Sequence, residues 1–137
     1  MKFILISINP VYVKKILANK KTVELRRKFN IDYVGCVFAV YGTTSIKSVV
    51  AIATIRAVVK ESVTNLWTYY EKKVGVSKSA FDKYFQGRST GYAILLEQVT
   101  KLDTPFTLKD LRSIGLNAPQ SYRSITEEQF KVITGIK

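Results

Sequence analysis

The sequence predicts an α+β fold, a small mixed β-barrel of about five or six strands decorated by helices. Three observations predict it. Short apolar stretches recur along the chain without alternating regularly with helical ones, which disfavours a doubly wound parallel sheet. The run SVVAIATIRAVV at 48–59 is too long for a flat strand and should bend or bulge around a barrel. A single helical block at 62–87 interrupts the strands instead of following each of them. At 137 residues, with no internal repeat and no dividing linker, one domain over 1–137 is expected.

The elements follow in order. FILISI at 3–8 reads as a short buried strand. Asn9 is a helix N-cap, and Pro10 takes the first helical position, where its missing N–H costs nothing. Val13, Ile16 and Leu17 give that helix its core face, and Asn19 can adopt the left-handed backbone at its end. TVELRR at 22–27 alternates as a strand, with Val23 and Leu25 on one face and Thr22, Glu24 and Arg26 on the other. CVFAVY at 36–41 and the long run from 48 are the next strands, separated by a Gly-Thr-Thr-Ser loop.

In the helical block, Thr64 is the expected cap of a helix carrying Leu66, Trp67, Tyr69 and Tyr70. Ser77 caps a second helix carrying Phe81, Tyr84 and Phe85, ended by Gly87. A strand returns at 92–102, and Asp103-Thr104-Pro105 should break it. Thr107 starts a helical turn, NAPQSYRSI reads as loop, and Thr126 with Gln129 has capping-box spacing for a last helix that stops at Gly135.

Composition excludes several classes. Hydrophobic residues make up 47% of the chain, so it is not a disordered segment. Its longest apolar runs are far shorter than the roughly 20 residues of a membrane span, and FILISI meets Asn9-Pro10 too soon for a signal peptide. With no histidine and one cysteine, a His/Cys zinc site and a histidine-based triad are ruled out. Cys36, inside an apolar run, reads as a small buried hydrophobe. A cytoplasmic protein without metal or cofactor is the expectation.

The net charge of +12 is unevenly spread. Residues 1–28 hold eight of the 22 cations and one of the ten acids. Solubility favours a net charge but does not require clustering, so the cluster points to a polyanion such as a nucleic-acid backbone. Within it, NKKTVELRRK at 19–28 has five cations around the single acid Glu24. Glu24 and Arg26 lie about 7 Å apart along one strand face, and Lys21 precedes them at the turn, free to swing toward them as a mobile charge. A carboxylate between two cations stays ionised and orders both. From spacing alone this is either a pocket for a polar planar group or a plain surface ion pair, which is worth little.

The stretch Asn-Lys-Lys-Thr-Val-Glu-Leu-Arg resembles the signature of the ASCH domain family, a branch of the PUA-like fold, whose pattern is Gly-x-Lys-x-x-Glu-x-Arg. Lys21, Glu24 and Arg26 stand at the family's Lys, Glu and Arg, and Asn19 replaces Gly. Four further segments resemble the family in order: LISINPVYVKKIL, VFAVYGTTSIKSVVAIATI, SKSAFDKYFQGRSTGYAILL and PQSYRSI. The resemblance implies a PUA-like barrel, a cleft under the Lys–Glu–Arg strand and a role in RNA binding. It also implies that Ser7, Tyr41, Ser121 and Arg123 approach that cleft. For Ser7 and Tyr41 a satisfied core hydroxyl is an equal alternative.

The first functional expectation is therefore a module binding RNA, single-stranded nucleic acid or a nucleotide. Lys14, Lys15, Lys20, Arg27 and Lys28 would hold phosphates while the cleft reads an unstacked base. Tyr12, Trp67, Tyr69 and Tyr92 are the stacking candidates, Trp67 being better explained as core. The alternative is a small metal-free amidohydrolase acting on an acylated nucleoside such as N4-acetylcytidine. One ASCH-like branch does this with a Lys-Thr-x-Thr motif, but here Glu24 stands at the second Thr, so catalysis would fall to a water activated by Lys21 and Glu24. A nuclease finds neither a histidine nor clustered metal-binding acids in the sequence. A protein-interaction role is neither supported nor opposed by these residues.

Overall fold

A computed structural model describes residues 2–136. Six strands form one sheet in the order β2-β5-β4-β3-β1-β6. They are β1 (Phe3–Ile8), β2 (Val23–Arg26), β3 (Val37–Gly42), β4 (Ser48–Ser62), β5 (Thr90–Thr107) and β6 (Tyr122–Ile125). β1 and β3 run parallel, and every other neighbouring pair is antiparallel. Five helices decorate the sheet: α1 (Pro10–Leu17), α2 (Val63–Tyr70), α3 (Lys78–Tyr84), α4 (Leu108–Ser113) and α5 (Glu127–Thr134).

The α+β class is as the sequence predicts, but the sheet does not close into a barrel. β2 and β6 are its two edges and share no ladder. Each is only four residues long, and the amides of Thr22 and Val23 at the outer side of β2 turn to the carbonyl of Lys73 instead. Side chains fill the remaining gap. Phe29, just beyond β2, packs on Tyr122 of β6 with ring centroids 4.6 Å apart, and Tyr33 meets both rings edge-on. The apolar cluster inside this curled sheet includes Ile4, Ile6, Phe38, Ile55 and Ile94.

β4 bends as its length requires, with register irregularities between Val49 and Ala51, Ile52 and Thr54, and Ile55 and Ala57. The same irregularity explains why β5 does not stop at Pro105. Ala51 pairs with Lys101 and Val49 with Phe106, so Asp103-Thr104-Pro105 falls between ladder partners, where no N–H is needed. β6 lies inside the stretch read as loop, and its four residues pair with Phe3–Ile6.

Helix ends follow local chemistry. Asn9 accepts from the Val11 amide, and Asn19 is left-handed with φ of 58°. Capping boxes are present at Thr107/Asp110 and Thr126/Gln129, and Gly135 ends α5 in the left-handed conformation. The cap of α2 is Ser62 rather than Thr64, because β4 runs straight into the helix and delivers Ser62 to the Asn65 amide. α2 and α3 form a helical hairpin on β2 and β5, with Leu66, Val74, Phe81 and Phe85 buried against Val23, Leu25 and Ala93. A third cluster, from Leu5 and Leu111 to Phe130, packs on the other face of β1 and β3, at the end of the strand order away from β2, under α4 and α5. Among the described residues, no helix is long and apolar enough to cross a membrane.

Candidate functional site

The alternation in β2 puts Glu24 and Arg26 on one face, as expected, but the pair is not a surface ion pair. Glu24 is 7% exposed, and its two oxygens are divided between two cations. Oε1 lies 3.3 Å from Lys21 Nζ, and Oε2 accepts from Arg26 Nη2 at 2.9 Å. Lys21 is 1% exposed and therefore not a mobile charge. Its ammonium donates to the Val74 carbonyl at 2.5 Å, under a loop that carries Gly75 at φ +64°. A Cβ on Gly75 would stand 3.0 Å from Lys21 Cβ, so the glycine lets the loop approach this closely.

The guanidinium of Arg26 bridges the gap between the sheet edges. Nη2 also donates to the Ser7 carbonyl on β1 at 2.8 Å, and Nη1 donates to the Ser121 hydroxyl just before β6 at 3.1 Å. Its Nε is buried and has no hydrogen-bond partner among the described residues.

Burial would raise the Glu24 pKa, but the charges of Lys21 and Arg26 and their hydrogen bonds outweigh it, holding the carboxyl below its ordinary value. For Lys21 burial prevails: it pushes the ammonium pKa down despite the attraction of Glu24.

Around this trio is a cleft of about 230 Å³. Lys21, Glu24 and Arg26 face it from β2 and the turn before it, Tyr12 from α1, and Phe81 and Tyr84 from α3. Both tyrosines are braced by cations. Lys21 Nζ lies 5.1 Å from the Tyr12 ring centroid, and the Arg27 guanidinium lies 4.6 Å from that of Tyr84. Arg27 also donates from Nε to the Tyr84 carbonyl at 2.7 Å and from its amide to the Tyr84 hydroxyl at 3.2 Å. Burial raises the Tyr84 pKa, keeping the phenol neutral.

The matching family model, described as "Domain of unknown function (DUF365)", covers residues 2–117. An "ASCH domain-containing ribonuclease" of Zymomonas mobilis is 30% identical over 133 residues, spanning 96% of this chain and 89% of that one. The chain belongs to the ASCH domain family. The crystal structure of ASCH from Zymomonas mobilis superposes with a TM-score of 0.92 at 29% identity, covering 98% of this chain and 95% of that chain. The N-terminal domain of Staphylothermus marinus McrB shares the fold at 13% identity, with a TM-score of 0.63 over 98% of this chain and 94% of that one.

Not every residue that the ASCH resemblance or the charge pattern nominates lies at the cleft. Ser7 does line it and offers its carbonyl to Arg26, while its hydroxyl donates to the Pro119 carbonyl at 2.6 Å. Its register partner Tyr41 is 3% exposed in the cluster under α4 and α5, away from the cleft lining. Ser121 reaches the site through Arg26. Arg123 sits on β6 opposite Leu5, exposed, with its Nε on the Ser124 carbonyl rather than in the cleft.

The basic cluster divides. Lys15 donates to the Gly75 carbonyl at 2.7 Å and Arg27 donates to the Tyr84 carbonyl, so both brace the cleft wall. Lys14, Lys20 and Lys28 are exposed, and their side chains make no hydrogen bond or ion pair among the described residues. Of the stacking candidates, Tyr12 lines the cleft. Trp67 packs on Phe81 at 5.0 Å, Tyr69 is an exposed neighbour of Tyr70, and Tyr92 packs half-buried on the main cluster. The sequence reading missed Tyr84 as a cleft residue. Its helix and its apolar face were readable, but nothing local says where that face docks.

Proposed function

We propose that this ASCH domain binds single-stranded RNA or a nucleotide, with one unstacked base in the cleft and the phosphates on Lys14, Lys20 and Lys28 outside it. The observation that carries this is a buried, ionised Glu24 fixed between Lys21 and Arg26 at the floor of a cleft with tyrosines on its walls. Such a floor suits a polar planar group, and the walls offer it aromatic faces. The similar Zymomonas protein, named a ribonuclease, supports RNA as the ligand class. Fluorescence anisotropy with a short single-stranded RNA tests it. Three phosphate contacts predict a roughly 20-fold loss of affinity between 50 and 200 mM salt. Binding that ignores salt, or no binding at low salt, refutes the proposal.

A second reading is RNA cleavage, favoured by the relative's name and by the lowered pKa of Lys21, which brings its amine closer to use as a proton acceptor. End-labelled RNA should then be cut by the wild-type protein and left intact by a folded Lys21→Met variant. Amide hydrolysis has less to work with. Thr22 lines a separate depression with Ile16 and Leu96, so it places no hydroxyl nucleophile beside Lys21, and a water activated by Lys21 and Glu24 is what that reading would need.

A further inference from the structure

We propose that the base held by the cleft is guanine, read along its edge by Glu24 and Arg26. This rests on the nucleobase reading above and adds the identity of the base. The argument starts from unused hydrogen-bonding capacity. An ionised carboxylate only accepts, and each oxygen offers two lone pairs. Lys21 engages Oε1 and Arg26 engages Oε2, so one position on each oxygen remains. A ligand facing Glu24 must therefore bring donors, which excludes a phosphate from that position and favours two adjacent N–H groups.

Arg26 supplies the complementary half. Its Nη2 gives both hydrogens to Ser7 and Glu24, whereas Nη1 carries two and gives one of them to Ser121, which leaves one Nη1 hydrogen without an acceptor among the described residues. Arg26 lines the cleft and its side chain keeps some exposure, so this second Nη1 hydrogen is the donor left for a ligand that brings an acceptor there. The ligand thus carries two donors for the carboxylate, with an acceptor beside them on the Arg26 side. Guanine presents that sequence on its edge: the N2 amino group, the N1–H and the O6 oxygen. Uracil offers one donor between two acceptors, and cytosine and adenine offer one amino group beside a ring acceptor. The half-buried faces of Tyr12 and Tyr84 are indifferent to base identity, so the choice falls to Glu24 and Arg26.

The test compares octamer RNAs at low salt: eight uridines, the same strand with one central guanosine, and the same strand with inosine there. Inosine keeps N1–H and O6 and lacks only the amino group. One guanosine should raise affinity at least tenfold over uridine, and inosine should lose most of that gain. Adenosine or cytidine in the central position should give no such gain. In a folded Glu24→Gln variant the guanosine preference should disappear. The inosine comparison stands even if that variant does not fold. Equal affinity for guanosine and inosine, or preference for another base, overturns the guanine assignment while leaving RNA binding intact. Failure to bind any of the strands overturns both.

Discussion

The two ends of the sheet are built differently. At the far end, α4 and α5 cover an apolar cluster in which Phe3 stacks on Phe130 at 4.4 Å. At the near end the α2–α3 hairpin covers one face of β2, while its other face and the turn before it hold a glutamate, an arginine and a lysine nearly out of water. Apolar burial is stabilising by itself, whereas a buried ion pair often does no better than the hydrophobic residues that could replace it. The far end is explained by folding alone. The near end is not, and the cleft beside the charged trio is the reason to look for function there.

The largest effect should come from breaking that trio. Glu24→Ala leaves two buried cations without their anion and should cost about 4 kcal/mol, with loss of RNA binding. Urea melts and anisotropy on the same preparation measure both. Acid probes the same carboxyl more gently. Its folded pKa lies below the unfolded value, so it contributes stability above the ordinary range near 4.5 that is lost as pH falls through the lowered folded value. Lys21 acts with the opposite sign: its lowered pKa makes the charged form a cost at neutral pH, relieved as pH rises through that value. Between pH 7 and pH 3 the wild type should therefore lose more stability than Glu24→Gln, and the gap between them should narrow. Parallel pH curves would show that Glu24 is not ionically held.

Phe130→Ala tests the other side of the comparison. It empties a buried ring site at the far end and should cost about 3 kcal/mol. The folded fraction should still bind RNA with unchanged salt dependence. A loss of specific binding in this variant would mean that the two ends are coupled. Gly75→Ala should have an intermediate effect of about 1–2 kcal/mol, because alanine is strained at positive φ and its methyl presses on Lys21. Unlike Phe130→Ala, it should weaken binding beyond its effect on stability, since it displaces the loop that fixes Lys21.

How far the sequence could be read also differs between the ends. The helix start at Thr107 and the capping box at Thr126 are each contained in four residues, so they were legible without tertiary knowledge. The shared face of Glu24 and Arg26 follows from strand alternation in the same way. The burial of Lys21 does not, because the carbonyl that accepts its hydrogen bond belongs to Val74, 53 residues away. Tyr84 was read as one face of a helix, but becomes a cleft wall only when the hairpin docks and Arg27 clamps it. Pro105 announces a missing N–H, and only the pairing partner reveals that the ladder skips that position. β6 has neither length nor alternation to mark it, and exists because β1 offers a free side.

The smallest expected effect isolates what burial contributes. Lys78 and Asp82 form an ion pair at i,i+4 on α3, on the same hairpin that covers the cleft, but their side chains are 57% and 56% exposed. Such a pair is hydrated, screened by salt and worth about 0.3–0.5 kcal/mol. Lys78→Ala should therefore shift the urea midpoint barely at all at 150 mM salt and only slightly more at 10 mM. Lys78 also lies 5.6 Å from the Trp67 ring centroid, so any residual loss that persists at high salt belongs to that packing and not to the ion pair. RNA binding should be unaffected. If Lys78→Ala matched the cost of Glu24→Ala, the burial of the trio at the cleft floor would not be what makes it special, and an exposed charge pair would count for as much.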